Sequence, residues 1–169
     1  NWTPMSNVIS FGHDIEASWL LLEAADVLGD PALRVQVRET AITLARQTRQ
    51  HGQDDDGGLF YEAEPDGTLD TDKHWWPQAE AIVGFLNAYH ETGEEDFLCA
   101  ALDAWTFTKR HVIDQHRGEW FGRLTRAGVP YDDEDKVGLW KCPYHNARAC
   151  LEVIERTASV SKENPTTRS

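Results

Sequence analysis

Apolar residues recur along this chain at the three- and four-residue spacing of amphipathic helices, in five separate stretches. The first runs from about Gly12 to Leu28 and puts Ile15, Trp19, Leu22 and either Ala24 or Ala25 on one stripe. Gly29 then supplies a C-cap, Asp30 an N-cap and Pro31 a first helical residue. A second helix therefore starts at once and runs to about Gln50. A third begins at Pro77 and carries Ala81, Phe85 and Tyr89. Thr92-Gly93-Glu94 turns the chain into a fourth, about Glu95 to Ile113, with Phe97, Ala101, Trp105 and Thr108. The fifth begins at Pro143 and carries Ala147, Cys150, Leu151 and Ile154. Beyond Ala158 the Ser, Thr, Asn and Pro content predicts a flexible tail over residues 159–169.

A weak repeat organises these elements. Leu22-Glu23-Ala24 through Gly29-Asp30 lines up with Leu86-Asn87-Ala88 through Gly93-Glu94, at an offset of 64 residues. Each unit is a helix, a tight turn, an antiparallel helix and a long return; the fifth helix opens a third unit without its partner. Stacked antiparallel helix hairpins point to an all-α fold, an α/α barrel or solenoid, because one hairpin cannot bury its apolar face alone. The long returns run from about His51 to Trp76 and from Asp114 to Cys142, and loops of that length are usually functional. Each holds a short strand-like piece, Gly57 to Tyr61 and Gly118 to Gly122. Both lie at the end where the first, third and fifth helices begin, which makes that end the expected working face.

Composition narrows the partners. The 169 residues are enough for one domain, and a 40% hydrophobic content suits a globular chain. Sixteen Lys and Arg against 29 Asp and Glu give a formal charge of -13. Such a field repels phosphate backbones and anionic lipid, so neither nucleic acid nor a membrane is expected as a partner. A neutral ligand fits better. Seven tryptophans are more than core filling alone asks for, and Trp also makes flat stacking surfaces for ligands. Cys99, Cys142 and Cys150 follow no metal-ligand spacing and read as reduced thiols of a cytoplasmic protein.

Candidate chemistry falls on three helix starts. The clusters are Gly12-His13-Asp14-Ile15-Glu16, Lys73-His74-Trp75-Trp76-Pro77-Gln78-Ala79-Glu80 and Trp140-Lys141-Cys142-Pro143-Tyr144-His145-Asn146. His13 and Glu16 are three apart and share a helix face, within reach of a hydrogen bond. Glu16 would then fix the tautomer of His13 and favour its imidazolium. His145 lies in the first turn of its helix, where the dipole favours the neutral imidazole of a general base. Two histidines in different states suit proton transfer at a carbon beside a carbonyl. Glu80, one turn into the third helix, fits either the site or a buried structural hydrogen bond. Trp76 and Trp140 read as ligand platforms, Trp75 as core, and Trp19, Trp105 and Trp120 as packing. Asp54-Asp55-Asp56-Gly57 lacks the alternation of a calcium loop and reads as a solvated turn. His51 reads as a helix-dipole complement. His74, His90, His111 and His116 read as surface residues, with His74 close to the mouth.

The stretches Ser10 to Trp19, Lys73 to Glu80 and Gly138 to Asn146 resemble those of the N-acylglucosamine 2-epimerase superfamily, and within it the cellobiose 2-epimerases. The likeness extends from Asn1 to about Arg156. It implies that residues 1–158 are the C-terminal half of an (α/α)6 barrel, and it implies no metal or other cofactor. It also implies epimerisation at C2 of the reducing-end glucose of a cellobiose-like disaccharide, through an enediolate. By motif position, His13 and His145 correspond to the two acid/base histidines and Glu16 to the carboxylate that supports the first. Trp76 and Trp140 correspond to the aromatic walls that hold the sugar, and Glu80, from its place in the third helix, is taken as a substrate-binding candidate. Family members are longer, and their N-terminal half supplies an arginine and a further histidine to the same site. The fragment alone is therefore expected to be weak or inactive, and to form a homodimer or pack on the missing half. Other readings are an N-acylglucosamine 2-epimerase or mannose isomerase, a glycoside hydrolase on the same barrel, and a non-catalytic sugar-binding or structural fragment.

Overall fold

The computed structural model of this chain describes residues 7–163. Five helices carry the fold: α1 (Phe11–Leu28), α2 (Pro31–His51), α3 (Trp75–Thr92), α4 (Glu95–Phe107) and α5 (Tyr144–Glu163). The last turn of α4 widens into a π-helix, Thr108–Val112. Helix α5 continues past Ala158 to Glu163, and the rest of the expected tail, 164–169, lies outside the described residues. The tight turns form as their residues predict. Gly29 and Gly93 close α1 and α3 in the left-handed conformation, and Asp30 accepts hydrogen bonds from the N–H groups of Ala32 and Leu33.

Helix α3 is buried on every side from Pro77 to Ala88, the pattern of a helix at the centre of a packed layer. Helices α1, α5 and α4 pack around it, and α2 lies against α1. The crossing of α1 and α3 is close: a Cβ on Gly84 would sit 2.6 Å from Cγ1 of Ile15, so a larger residue would push the helices apart. Phe11, Ile15, Phe85 and Phe97 fill one core cluster, and Trp19, Val83, Phe107 and Trp120 a second. Large apolar side chains stay exposed on several helices, among them Val27 and Leu28 on α1, Val35 on α2, Leu102 on α4, and Leu151 and Ile154 on α5. Helix α5, the one that opens a unit without its partner, thus shares its bare apolar surface with the other helices.

The long returns are pinned by short antiparallel strands. Strand β1 (Ile9–Ser10) pairs with β2 (Glu62–Ala63), and β2 with β3 (Leu69–Asp70). Strand β4 (Lys73–His74) pairs with β5 (Arg123–Leu124), which ties the two returns to each other. The stretches expected to be strand-like, 57–61 and 118–122, contribute only the isolated bridges Gln53 to Leu59 and Ile113 to Trp120. Gly57 and Gly118 are taken up by turns instead, donating back to the carbonyls of Asp54 and Asp114.

The turn at Asp54 is not merely solvated. Lys73 is fully buried, its ammonium 3.0 Å from Asp54 and 2.6 Å from Asp56. It also lies 4.7 Å from the ring centre of Phe107. Desolvation works against the charge of Asp54, but hydrogen bonds from Arg126 and Lys73 outweigh it and lower its pKa to about 2. The fully buried charge is the ammonium, and removing both of its carboxylates would leave it unpaired. Asp54→Asn combined with Asp56→Asn is therefore expected to cost about 3–5 kcal/mol in urea denaturation at neutral pH, and a loss nearer the ~1 kcal/mol of a surface pair would contradict this burial. Asp54 binds its proton more weakly folded than unfolded, where the ordinary value is 3.8. Its contribution is thus complete above about pH 4 and lost as the pH falls toward about 2, and the stability gap between wild type and Asp54→Asn should close over that window.

Candidate active site

The N-termini of α1, α3 and α5 meet at an open cleft of about 420 Å³. His13, Glu16, Trp76, Trp140 and His145 line it together, joined by Tyr61, His74 and Trp75. Trp76 lies against both histidines, its ring centre 4.7 Å from that of His13 and 5.5 Å from that of His145. Gly12 makes this possible: a Cβ there would come within 2.4 Å of the Trp76 ring. His13 is exposed in the first turn of α1, with Nδ1 2.8 Å from the hydroxyl of Ser10. Ser10 occupies the N-cap of α1 but makes no side-chain cap, because its hydroxyl serves His13.

One expected contact is corrected, and the two readings of Glu80 separate. Glu16 is not the partner of His13; its Oε1 accepts from Arg148 at 2.6 Å and lies 4.0 Å from Nδ1 of His145. Glu80 is not among the residues that line the cleft. It is 1% exposed, beneath the floor, where Oε1 accepts from His145 Nδ1 at 2.7 Å and Oε2 from Trp19 Nε1 at 3.0 Å. A carboxylate so placed accepts, so Nδ1–H of His145 is the donor, and Nε2 is the ring nitrogen not engaged by Glu80. The i+3 and i+4 spacing of α helices brings this about, since Glu16 and Trp19 share a face of α1, and His145 and Arg148 one of α5. Sequence reasoning missed Arg148, although its three-residue spacing from His145 was a usable signal.

Other residues complete the walls. Trp140 stands at the rim, 89% exposed, on the loop before α5. That loop is anchored by buried Lys141, which donates to Glu119 at 2.9 Å. Glu119 has the left-handed φ of 61°, a conformation that costs a non-glycine residue about 1–2 kcal/mol. Trp75, expected in the core, both packs there and borders the cleft. His74 is no bystander: it stacks on Tyr61 with ring centres 4.0 Å apart, inside the cleft. Burial, and then the nearby Arg123 cation, push the pKa of His74 below its usual value. Burial, with Glu62 and Asp70, pushes the Tyr61 phenol up, so both rings stay uncharged at neutral pH.

Glu16, Glu80 and His145 approach one another closely enough to hold a cation. Arg148 already sets its guanidinium against both carboxylates, so the cluster carries its own positive charge. For the same reason the two carboxylates are poorly placed as the acid and base of a glycosidase, which must flank the sugar from within the cleft.

The family model for N-acylglucosamine 2-epimerase matches residues 5–149. The chain belongs to this family. A cellobiose 2-epimerase of Bacteroides fragilis is 44% identical over 155 residues, which cover 91% of this chain and 39% of that protein. Among solved structures, a sugar epimerase from a ruminal bacterium superposes with a TM-score of 0.86 at 41% identity, over 91% of this chain and 39% of its own. A D-mannose isomerase superposes with a TM-score of 0.78 at 31% identity, over 87% and 37%. The chain thus spans about two fifths of the length of the relatives it matches. Its helix hairpins are part of the (α/α)6 barrel of this 2-epimerase family. His74 offers a direct check on the cleft of this family member. In an NMR titration its imidazole should titrate below 6.5, and Arg123→Gln, which removes a like charge, should move the midpoint upward.

Proposed function

We propose that the whole protein is a sugar 2-epimerase, inverting C2 of the reducing-end glucose of cellobiose-like disaccharides by histidine acid/base transfer. The observation that carries this reading is the pair of imidazoles that line one cleft beside Trp76, each engaged at Nδ1. The sugar ring opens to its aldehyde, and the C2–H bond becomes acidic beside the carbonyl. One histidine takes the C2 proton; the bonding electrons move into C1–C2 and the charge falls on O1, giving the enediolate. The other histidine returns a proton to the opposite face of C2. Such an acid or base contributes about 10²–10⁴-fold to the rate.

Trp76 offers an apolar face to the reacting sugar, and Trp140 at the rim offers a platform beyond it, which favours a disaccharide over the N-acylglucosamine or mannose of other family members. Neutral His74 and Tyr61 suit an uncharged ligand, as does the overall negative charge of the chain. The exposed apolar faces of α1 and α5 fit packing against further helices of the barrel, or against a second copy. Alone, the chain is expected to be weakly active or inactive.

The test is incubation of the whole protein with cellobiose in D₂O. Deuterium should appear at C2 with a mannose unit at the reducing end. His13→Asn and His145→Asn should each lower that exchange by about 10²–10⁴-fold with the fold retained. Release of free glucose would replace the reading with a hydrolase, and binding without exchange would replace it with a sugar-binding role.

A further inference from the structure

Arg148 has no part in these proton transfers, and it does not line the cleft. It nevertheless touches all three helices that meet there. From α5, its Nη2 donates to Glu16 of α1 at 2.6 Å and to Glu80 of α3 at 2.7 Å. Its Nη1 donates to the Tyr144 hydroxyl, and its guanidinium lies 4.9 Å from the ring centre of Trp19 and 4.4 Å from that of Tyr144. Burial alone would favour loss of its proton, but the hydrogen bonds to Glu16 and Glu80 more than compensate and raise its pKa. Arg148 is a fixed cation.

We propose that Arg148 is the positioning residue of the site: through Glu80 it locks the imidazole of His145 in the one orientation that leaves Nε2 free for the sugar. This deepens the epimerase reading and rests on it for its catalytic consequence. A carboxylate turns easily about its last side-chain bond, a broad torsion with no sharp preference. Trp19 fixes Oε2 of Glu80, and Arg148 fixes Oε1, the atom that receives Nδ1–H of His145. Arg148 also engages Glu16, whose Oε1 lies 4.0 Å from the same Nδ1, just beyond hydrogen-bond reach. Without Arg148 two carboxylates, on α1 and α3, would compete for one imidazole N–H. The ring could then swing between them or turn over, and Nε2 would no longer be aimed.

Imidazole ¹⁵N spectra of the chain tell which ring nitrogen carries the proton, without substrate. Wild-type His145 should show one tautomer, protonated at Nδ1. Arg148→Met should give a mixture, and in the whole protein should lower kcat for C2 exchange by about 10²-fold with KM unchanged, the scale of a small misplacement. Arg148→Lys keeps the charge but loses the planar fork, so it should recover only part of both. A pure Nδ1–H tautomer in Arg148→Met, or a loss confined to KM, overturns the proposal. Should Arg148→Met fail to fold, Arg148→Lys decides alone: a mixture supports the proposal, and a wild-type tautomer with wild-type kcat overturns it. If the wild-type whole protein exchanges deuterium into no aldose, the epimerase reading fails, while the tautomer spectra still decide whether Arg148 positions His145.

Discussion

The mouth of this protein is organised around one buried carboxylate. Glu80 lies one turn into α3, almost wholly out of water, and accepts from Trp19 of α1 and from His145 and Arg148 of α5. An unpaired charge in that position would cost several kcal/mol, so the three helices must arrive with their donors in register or not pack at all. The requirement converts a generic apolar stack into a defined geometry. The helix that holds Glu80 is also the one buried on every side, so the polar anchor and the centre of the core are the same element. Gly84 lets α1 come close to α3, and that close approach brings Trp19 to the carboxylate.

A second buried charge steadies the opposite wall. Lys73 is the first residue of β4, and its grip on Asp54 and Asp56 holds the first long return against the α4 end. The pairing of β4 with β5 then carries the second return, so both loops are set by the strand that immediately precedes α3. The residues that follow Lys73, from His74 to Trp76, are cleft residues. Their placement therefore depends on an ion pair that never meets the ligand. Backbone strain at Glu119 belongs to the same construction, offset by the contacts of Lys141 and Asn146 that secure the loop bearing Trp140.

The five helices, their tight turns at Gly29 and Gly93 and the gathering of three motifs at one end were all readable from spacing and capping residues. These are local properties: a period of 3.6, a left-handed glycine and an aspartate N-cap act within a few residues of themselves. Family membership was legible for a related reason, since long runs such as Lys73 to Glu80 are local too, and they lie within the residues that the family model matches. Which partner each polar side chain takes was not legible. Glu16 is three residues from His13 and could reach it, yet it turns to Arg148, 132 residues away in sequence. Glu80 offered two readings on paper, and only burial between α1 and α5 chose the structural one. Asp54 and Asp56 looked solvated because nothing in a run of acidic residues announces a lysine 17 to 19 positions on. Hydrogen bonds and ion pairs form between surfaces that meet only after the helices pack, and in a buried setting the cost of an unmet group overrides proximity along the chain. Sequence alone determined the elements, the end of the helix layer where chemistry collects and the histidines gathered there; tertiary packing decided which carboxylate holds which imidazole, because that choice is made by burial and distance in three dimensions.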